Sequence, residues 1–342
     1  MLKLSILDQV PIPHGQTAEE ALQASLKLAK QADQWGYHRY WLAEHHNTGG
    51  LASSSPEIVI SHLAAHTTRL RIGSGGVLLS HYSPLKVAET FRTLEALYPG
   101  RIDLGIGRSP GGSPLTGLAL RDGVERQPQD FPRLVNDVRR LLRNDSVTDP
   151  RFAGVYATPY TETRPKLWLL GSSTTSAALA AEMGAAFSFA HFINGIGGPA
   201  IVRDYYNRFQ PSIDQPEPKA SVCVFVVCAE TDEAAMQEAK SLEYWLLLIA
   251  QGKADEGVPS VEDAARFYPM DWEEDHMQEN RQRMIVGSPE TCRAGLEYMA
   301  QEYGTDELMI ITNLHNQVAR LKSYQLLAEA FDLTSTSADV SF

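Results

Sequence analysis

Apolar, strand-like runs alternate with helix-like runs along the whole chain, eight times over, and no other feature narrows the possible folds as much. Runs at 3–9, 38–43, 70–76, 101–106, 167–170, 185–190, 222–229 and 307–312 read as strands. Between them the apolar period changes to that of a helix. Ala21, Ser25, Leu28, Ala32 and Trp35 share one face and end at Gly36, a helix-stop residue. Ser55-Pro56-Glu57, Ser83-Pro84 and Ser288-Pro289-Glu290 are helix starts, with a capping hydroxyl and a proline suited to the first turn. Further helices are expected at 131–142, 176–183, 200–209, 233–250 and 317–331. Strict βα alternation implies a parallel sheet covered by helices. Eight units suggest a closed (β/α)8 barrel in one domain over 1–333, with an open doubly wound sheet as the alternative. The last nine residues, 334–342, are expected to be disordered.

Composition removes several functions. Hydrophobic residues are 43% of the 342, enough for a large core, so a mostly disordered chain is excluded. The net charge of −12 and the lack of a basic run disfavour nucleic acid and anionic membranes as partners. No apolar stretch reaches the length of a membrane span, and the opening MLKLSILDQVPIP reads as a strand, not a signal peptide. Three cysteines, Cys223, Cys228 and Cys292, do not make a disulfide scaffold and fit a reducing cytoplasm. The odd spacing of Cys223 and Cys228 sends them to opposite faces of one strand.

In a barrel, chemistry gathers where strands end. Glu44-His45-His46 closes the second strand, and neighbouring side chains there point to different sides, so the two histidines have different jobs. His62 and His66 share a helix face but lack a third ligand, which leaves no metal site. Gly105-Ile106-Gly107 is not a dinucleotide fingerprint, because Pro110 stands where the third glycine belongs. Gly73-Ser74-Gly75-Gly76 ends the third strand and lets a flat ring approach the backbone, or forms a plain turn. The fifth strand runs into Ser172, Ser173, Thr174, Thr175 and Ser176 at a helix start. Free N–H groups, hydroxyls and Arg108 suit an anion there; simple capping is the competing reading.

Together these segments resemble the bacterial luciferase-like family of flavin-dependent monooxygenases. The residues that carry the resemblance are W-L-A-E-H-H at 41–46, I-G-S-G-G-V-L-L at 72–79, R-I-D-L-G-I-G-R at 101–108 and L-W-L-L-G-S-S at 167–173. V-G-S-P-E-T at 286–291 and D-E-L-M-I-I-T at 306–312 add to it. The resemblance implies a TIM barrel binding reduced FMN at its C-terminal face. The phosphate is expected on Arg108, Ser172, Ser173 and Ser176, and the ring over a cis peptide at Gly75-Gly76. His45 inherits an acid/base role, and Glu44 orients polar groups beside it. Gly107 stands where light-emitting members carry a cysteine, which argues against luminescence. A separate flavin reductase is the expected partner, since no NAD motif is present, and a homodimer is the expected assembly. The implied reaction uses O2 to oxygenate a small organic molecule, an aldehyde being one candidate. A deazaflavin hydride-transfer enzyme and a non-catalytic flavin binder are the alternatives.

Three connections are long for a barrel: 108–130, 144–166 and 251–287. The last mixes acids with Phe267, Tyr268, Met270 and Trp272. It is expected to be a mobile lid over the pocket, a rigid helical insertion being the other reading.

Overall fold

Among the described residues nine parallel strands build the protein's centre, and eight of them close on themselves. They are β1 (Lys3–Asp8), β2 (Arg39–Leu42), β3 (Arg71–Leu78), β4 (Ile102–Gly107), β5 (Lys166–Gly171), β6 (Ala186–Ala190), β7 (Ala220–Cys228), β8 (Met284–Gly287) and β9 (Glu307–Ile311). In this computed structural model, which describes residues 2–145 and 149–333, the ring runs β1-β2-β3-β4-β5-β6-β7-β9 and returns to β1. The expected (β/α)8 TIM barrel is therefore the fold. The expected tail at 334–342 lies outside the described residues.

The ninth strand, β8, was not visible as a separate strand in the sequence. It pairs only with the upper part of β7, from Phe225↔Met284 to Cys228↔Gly287, and so raises one wall of the barrel.

Local chemistry explains the helix ends. Thr17 and Glu20 form a reciprocal capping box, and Gly36 closes the same helix in the left-handed conformation at φ 92°. Ser288 accepts from Thr291 N at 3.3 Å. Ser55 and Ser83 stand at the same position but make no side-chain cap, so Pro56 and Pro84 start those helices by their fixed φ.

The barrel floor is a buried ion network. Arg39 bonds Asp103 at 2.6 Å and Glu307 at 2.5 Å, and Arg71 reaches the other oxygen of Asp103 at 2.6 Å. Burial opposes the charge on Asp103 and Glu307, but the adjacent guanidinium groups outweigh it and hold both carboxyls below their usual range. Above this lie Trp41 and Trp168, edge to face at 5.3 Å, with Arg39 over the Trp168 ring. Leu7, Cys223 and Met309 form the next level. Cys228 lies in the other core, between strands and helices, so the two cysteines do face opposite sides. All three cysteines are free thiols.

The segment 251–287 is largely helical, and none of its residues lines the cavity at the strand ends. It holds the helices Val261–Arg266 and Asp271–Arg281 followed by β8, and Val258 is buried and bridged to Pro13. Two of its acids hold local structure. Asp263 completes a capping box with Ser260, and the buried Glu273 accepts from Met270 N at 2.8 Å and Gln251 at 2.7 Å. Phe267 stacks on Tyr244. Acidic first turns and lid-like acidity look the same in sequence. Among the described residues no helix is long and apolar enough to cross a membrane.

Candidate active site

The C-terminal ends of the strands surround a cavity of about 480 Å³. Every residue expected at the site lines it: Glu44, His45, Gly75, Gly76, Gly107, Arg108, Ser172, Ser173 and Ser176. Leu7, Leu78, Leu170, Phe192, Ile193 and Met309 make its apolar surface. The expected residues thus converge from β2, β3, β4 and β5, although they are far apart in sequence.

The Glu44-His45-His46 turn is held from both sides. His45 N donates to Ser53 O at 2.9 Å and His46 N donates to Gly111 O at 2.9 Å. Gly111 has φ +61°, and a Cβ there would collide with Leu78, so glycine is required at this close approach. Glu44 is buried and fully occupied: Oε2 accepts from Leu78 N at 3.0 Å, and Oε1 accepts from Tyr82 Oη at 2.6 Å and lies 2.7 Å from His46 Nε2. Burial first, and then the neighbouring carboxylate, push the Tyr82 hydroxyl well above its usual range. Glu44 was expected to orient polar groups beside His45; the groups it orients are His46, Tyr82 and the end of β3.

His45 is different. Its Nδ1 is buried and has no hydrogen-bond partner among the described residues. Burial, and secondarily the charge of His46, lower its pKa to about 4, so the ring is neutral at pH 7. The two histidines differ in their surroundings: His46 is tied into the wall, whereas His45 lines the cavity with its Nδ1 buried and unpaired.

At Gly75-Gly76 the peptide is cis, as the resemblance implied. The β3–β4 register shifts between Ser74 and Val77, leaving these two residues out of the ladder. Cβ atoms there would meet Leu7 Cδ1 at 2.5 Å and Gly105 O at 2.7 Å. This wall therefore has no side chain to keep a planar group away.

The helix Thr174–Glu182 starts where β5 ends, at the same cavity. Ser173 and Ser176 cap each other: Ser176 N donates to Ser173 Oγ at 3.3 Å, and Ser176 Oγ donates to Ser173 O at 2.8 Å. Arg108 is exposed and makes no ion pair or hydrogen bond with any described residue. An uncompensated guanidinium facing a helix N-terminus is a place for an anionic group. His62 and His66, by contrast, lie at the end of an outer helix with their rings 4.7 Å apart and tilted by 56°, and His66 Nδ1 lies 2.8 Å from His62 O.

Sequence reasoning missed Gln9, Ser188, Cys223 and Met309 at the cavity. The signal for Gln9 was present: Ser5, Leu7 and Gln9 alternate inward from floor to core to cavity. The end of the 251–287 segment contributes at one remove. Arg283 donates to Phe192 O at 2.7 Å and Ile193 O at 2.6 Å, fixing two residues of the cavity wall.

Comparison with known proteins shows the family. Residues 2–307 match the family model described as luciferase-like monooxygenase. The protein YwcH of Bacillus subtilis (strain 168) is 48% identical over 331 residues, covering 97% of this chain and 99% of that one. The N-acetyl-S-alkylcysteine monooxygenase of the same organism is 36% identical over 331 residues, covering 96% and 98%. The crystal structure of apo-MsnO8 superposes with a TM-score of 0.88 at 39% identity, covering 98% of this chain and 99% of that one. With a family model spanning most of its length, full-length relatives and the same barrel, this chain belongs to the luciferase-like monooxygenase family.

Proposed function

We propose that the protein is an FMN-dependent monooxygenase that takes reduced FMN from a separate flavin reductase and uses O2 to oxygenate a small organic substrate. One observation carries this reading: a single cavity joins a free arginine at a helix N-terminus, a wall without side chains and a buried histidine with an unpaired ring nitrogen. These three features fit the phosphate, the planar ring and the proton traffic of a flavin reaction.

FMN, when bound, supplies the reducing electrons that activate O2. The chain's residues do the rest. Arg108 and the start of the Thr174–Glu182 helix bind the phosphate, with Ser172, Ser173 and Ser176 adding hydroxyls. Gly75 and Gly76 support the ring face. His45, neutral near pH 7 and lining the cavity, takes or returns a proton through its imidazole. Leu7, Leu78, Phe192, Ile193 and Met309 exclude water from the reacting atoms. The reductase is proposed as a separate protein because the chain carries no dinucleotide fingerprint. Aldehydes, and thioethers by analogy with the relative above, are the substrate classes to assay.

The test is rapid mixing of the protein–reduced FMN complex with O2, followed by absorbance and oxygen uptake. The expected result is saturable FMN binding and flavin reoxidation that differs from free reduced FMN and couples to product with one substrate class. Reoxidation indistinguishable from free flavin would overturn the reading. A deazaflavin chromophore in the purified protein would favour hydride transfer instead.

A further inference from the structure

The ring order places β1 and β9 directly across the barrel from β5 and β4. An occupant anchored at Arg108 and Ser173 that spans the cavity therefore ends near Gln9, which follows β1 and lines the same cavity. Several features fix Gln9. Asn313, buried just beyond β9, donates from Nδ2 to Gln9 Oε1 at 2.6 Å. The Gln9 oxygen is thus taken, while its Nε2 makes no hydrogen bond with any described residue. The next residue, Val10, is buried at φ +51°, a conformation that a β-branched residue adopts only when its surroundings impose it. Here Asp8 imposes it by accepting from Val10 N at 2.7 Å. Asp8 is in turn held by Arg320 at 2.7 Å and Ser25 at 2.5 Å, and by Tyr40. A strained backbone, a buried carboxylate network and a buried amide all converge on the orientation of one carboxamide at the cavity.

We propose that Gln9 is the second polar anchor of the site. Its Nε2–H donates to a carbonyl oxygen at the end of the ligand remote from the phosphate, and Asn313 is the positioning residue that leaves the amide N–H, not the oxygen, free. The chemistry recognised is an amide-type carbonyl, which the dione ring edge of a flavin supplies. The proposal rests on the FMN reading, and the experiment separates the two.

Affinities for FMN and for riboflavin, which lacks the phosphate, are measured by flavin fluorescence for wild type, Gln9→Leu, Gln9→Glu and Arg108→Ala. Gln9→Leu should weaken both flavins by the same factor, about 2–13-fold for one neutral hydrogen bond. Gln9→Glu keeps the shape but presents acceptors to a carbonyl, and should weaken both at least as much. Arg108→Ala should weaken FMN and leave riboflavin unchanged. Asn313→Ala should alter the absorption shift of bound flavin in the same direction as Gln9→Leu. Urea midpoints like wild type exclude loss of folding as the cause.

Unchanged affinity for both flavins in Gln9→Leu and Gln9→Glu overturns the proposal while leaving the FMN reading intact. A loss for FMN alone also overturns it, because the contact would then be at the phosphate. If Gln9→Leu keeps flavin affinity and raises only the KM for the organic substrate, the carbonyl belongs to that substrate and the flavin assignment falls. Failure of wild type to bind either flavin overturns both readings.

Discussion

Glu44 and His46 are joined by a 2.7 Å contact from Oε1 to Nε2, while His45, between them in sequence, has no partner on Nδ1. The carboxylate thus contacts the histidine in the wall and not the one lining the cavity. Removing either side of this arrangement has different consequences. His45→Ala should lower turnover about 10²–10⁴-fold, the usual range for an acid/base side chain, and leave FMN affinity near wild type. Steady-state product formation and a flavin titration check this. A normal rate in His45→Ala with loss in His46→Ala would reverse the roles.

Glu44→Ala should mainly affect stability. It leaves Leu78 N–H and the Tyr82 hydroxyl without their acceptor in a buried region. Each such group costs about 1–3 kcal/mol. Urea unfolding should therefore show a larger loss for Glu44→Ala than for Tyr82→Phe, which removes only one of the bonds.

Arg108→Ala should weaken FMN by about 1.5–3 kcal/mol, the scale of a hydrogen bond to a charged group. Unchanged FMN affinity would remove Arg108 from the phosphate site.

The pH dependence follows from two histidines. His45 and His38 both have pKa values lowered to about 4, by burial in each case, with His46 and Arg39 respectively adding to it. Their unfolded value is about 6.5. Between these limits the unfolded chain binds protons that the folded chain does not, so stability rises with pH there and is lost as pH falls from about 6.5 toward 4. Urea midpoints measured across this window should fall with acidification, and His45→Gln should flatten the fall.

The two glycines under the site should differ in tolerance. A methyl on Gly75 meets the flexible end of Leu7, at 2.5 Å, as well as Trp41 Cβ at 3.0 Å. On Gly76 it meets the backbone of Gly105, at 2.7 and 2.8 Å. Gly76→Ala should therefore be the more damaging, by about 1–3 kcal/mol of overpacking. Thermal unfolding of the two variants decides it.

The barrel was legible because short continuous apolar runs alternate with helix-period runs, several of them opened by a proline. The site was legible where its residues follow strands directly, as Glu44, His45, Arg108 and Ser172 do. What escaped depended on partners distant in sequence. Nothing near Gln9 announces Asn313, which reaches it across a separation of 304 residues. Nothing near Glu44 announces that Leu78 N and Tyr82 will take its oxygens in place of His45. β8 escaped because four residues carry too little periodicity, and the acids before it suggested a water-facing flap when they cap helices.

The ion-paired floor under Trp41 and Trp168 gives the barrel a blind end. Arg39, Asp103 and Glu307 seal the side opposite the cavity, so the floor offers no way in or out for an occupant. A well of this kind works as a stack: the molecule that lies deeper must arrive first and depart last. Exchange of a spent deeper occupant must then wait for the upper one to leave, and the two should load in obligatory order, not at random.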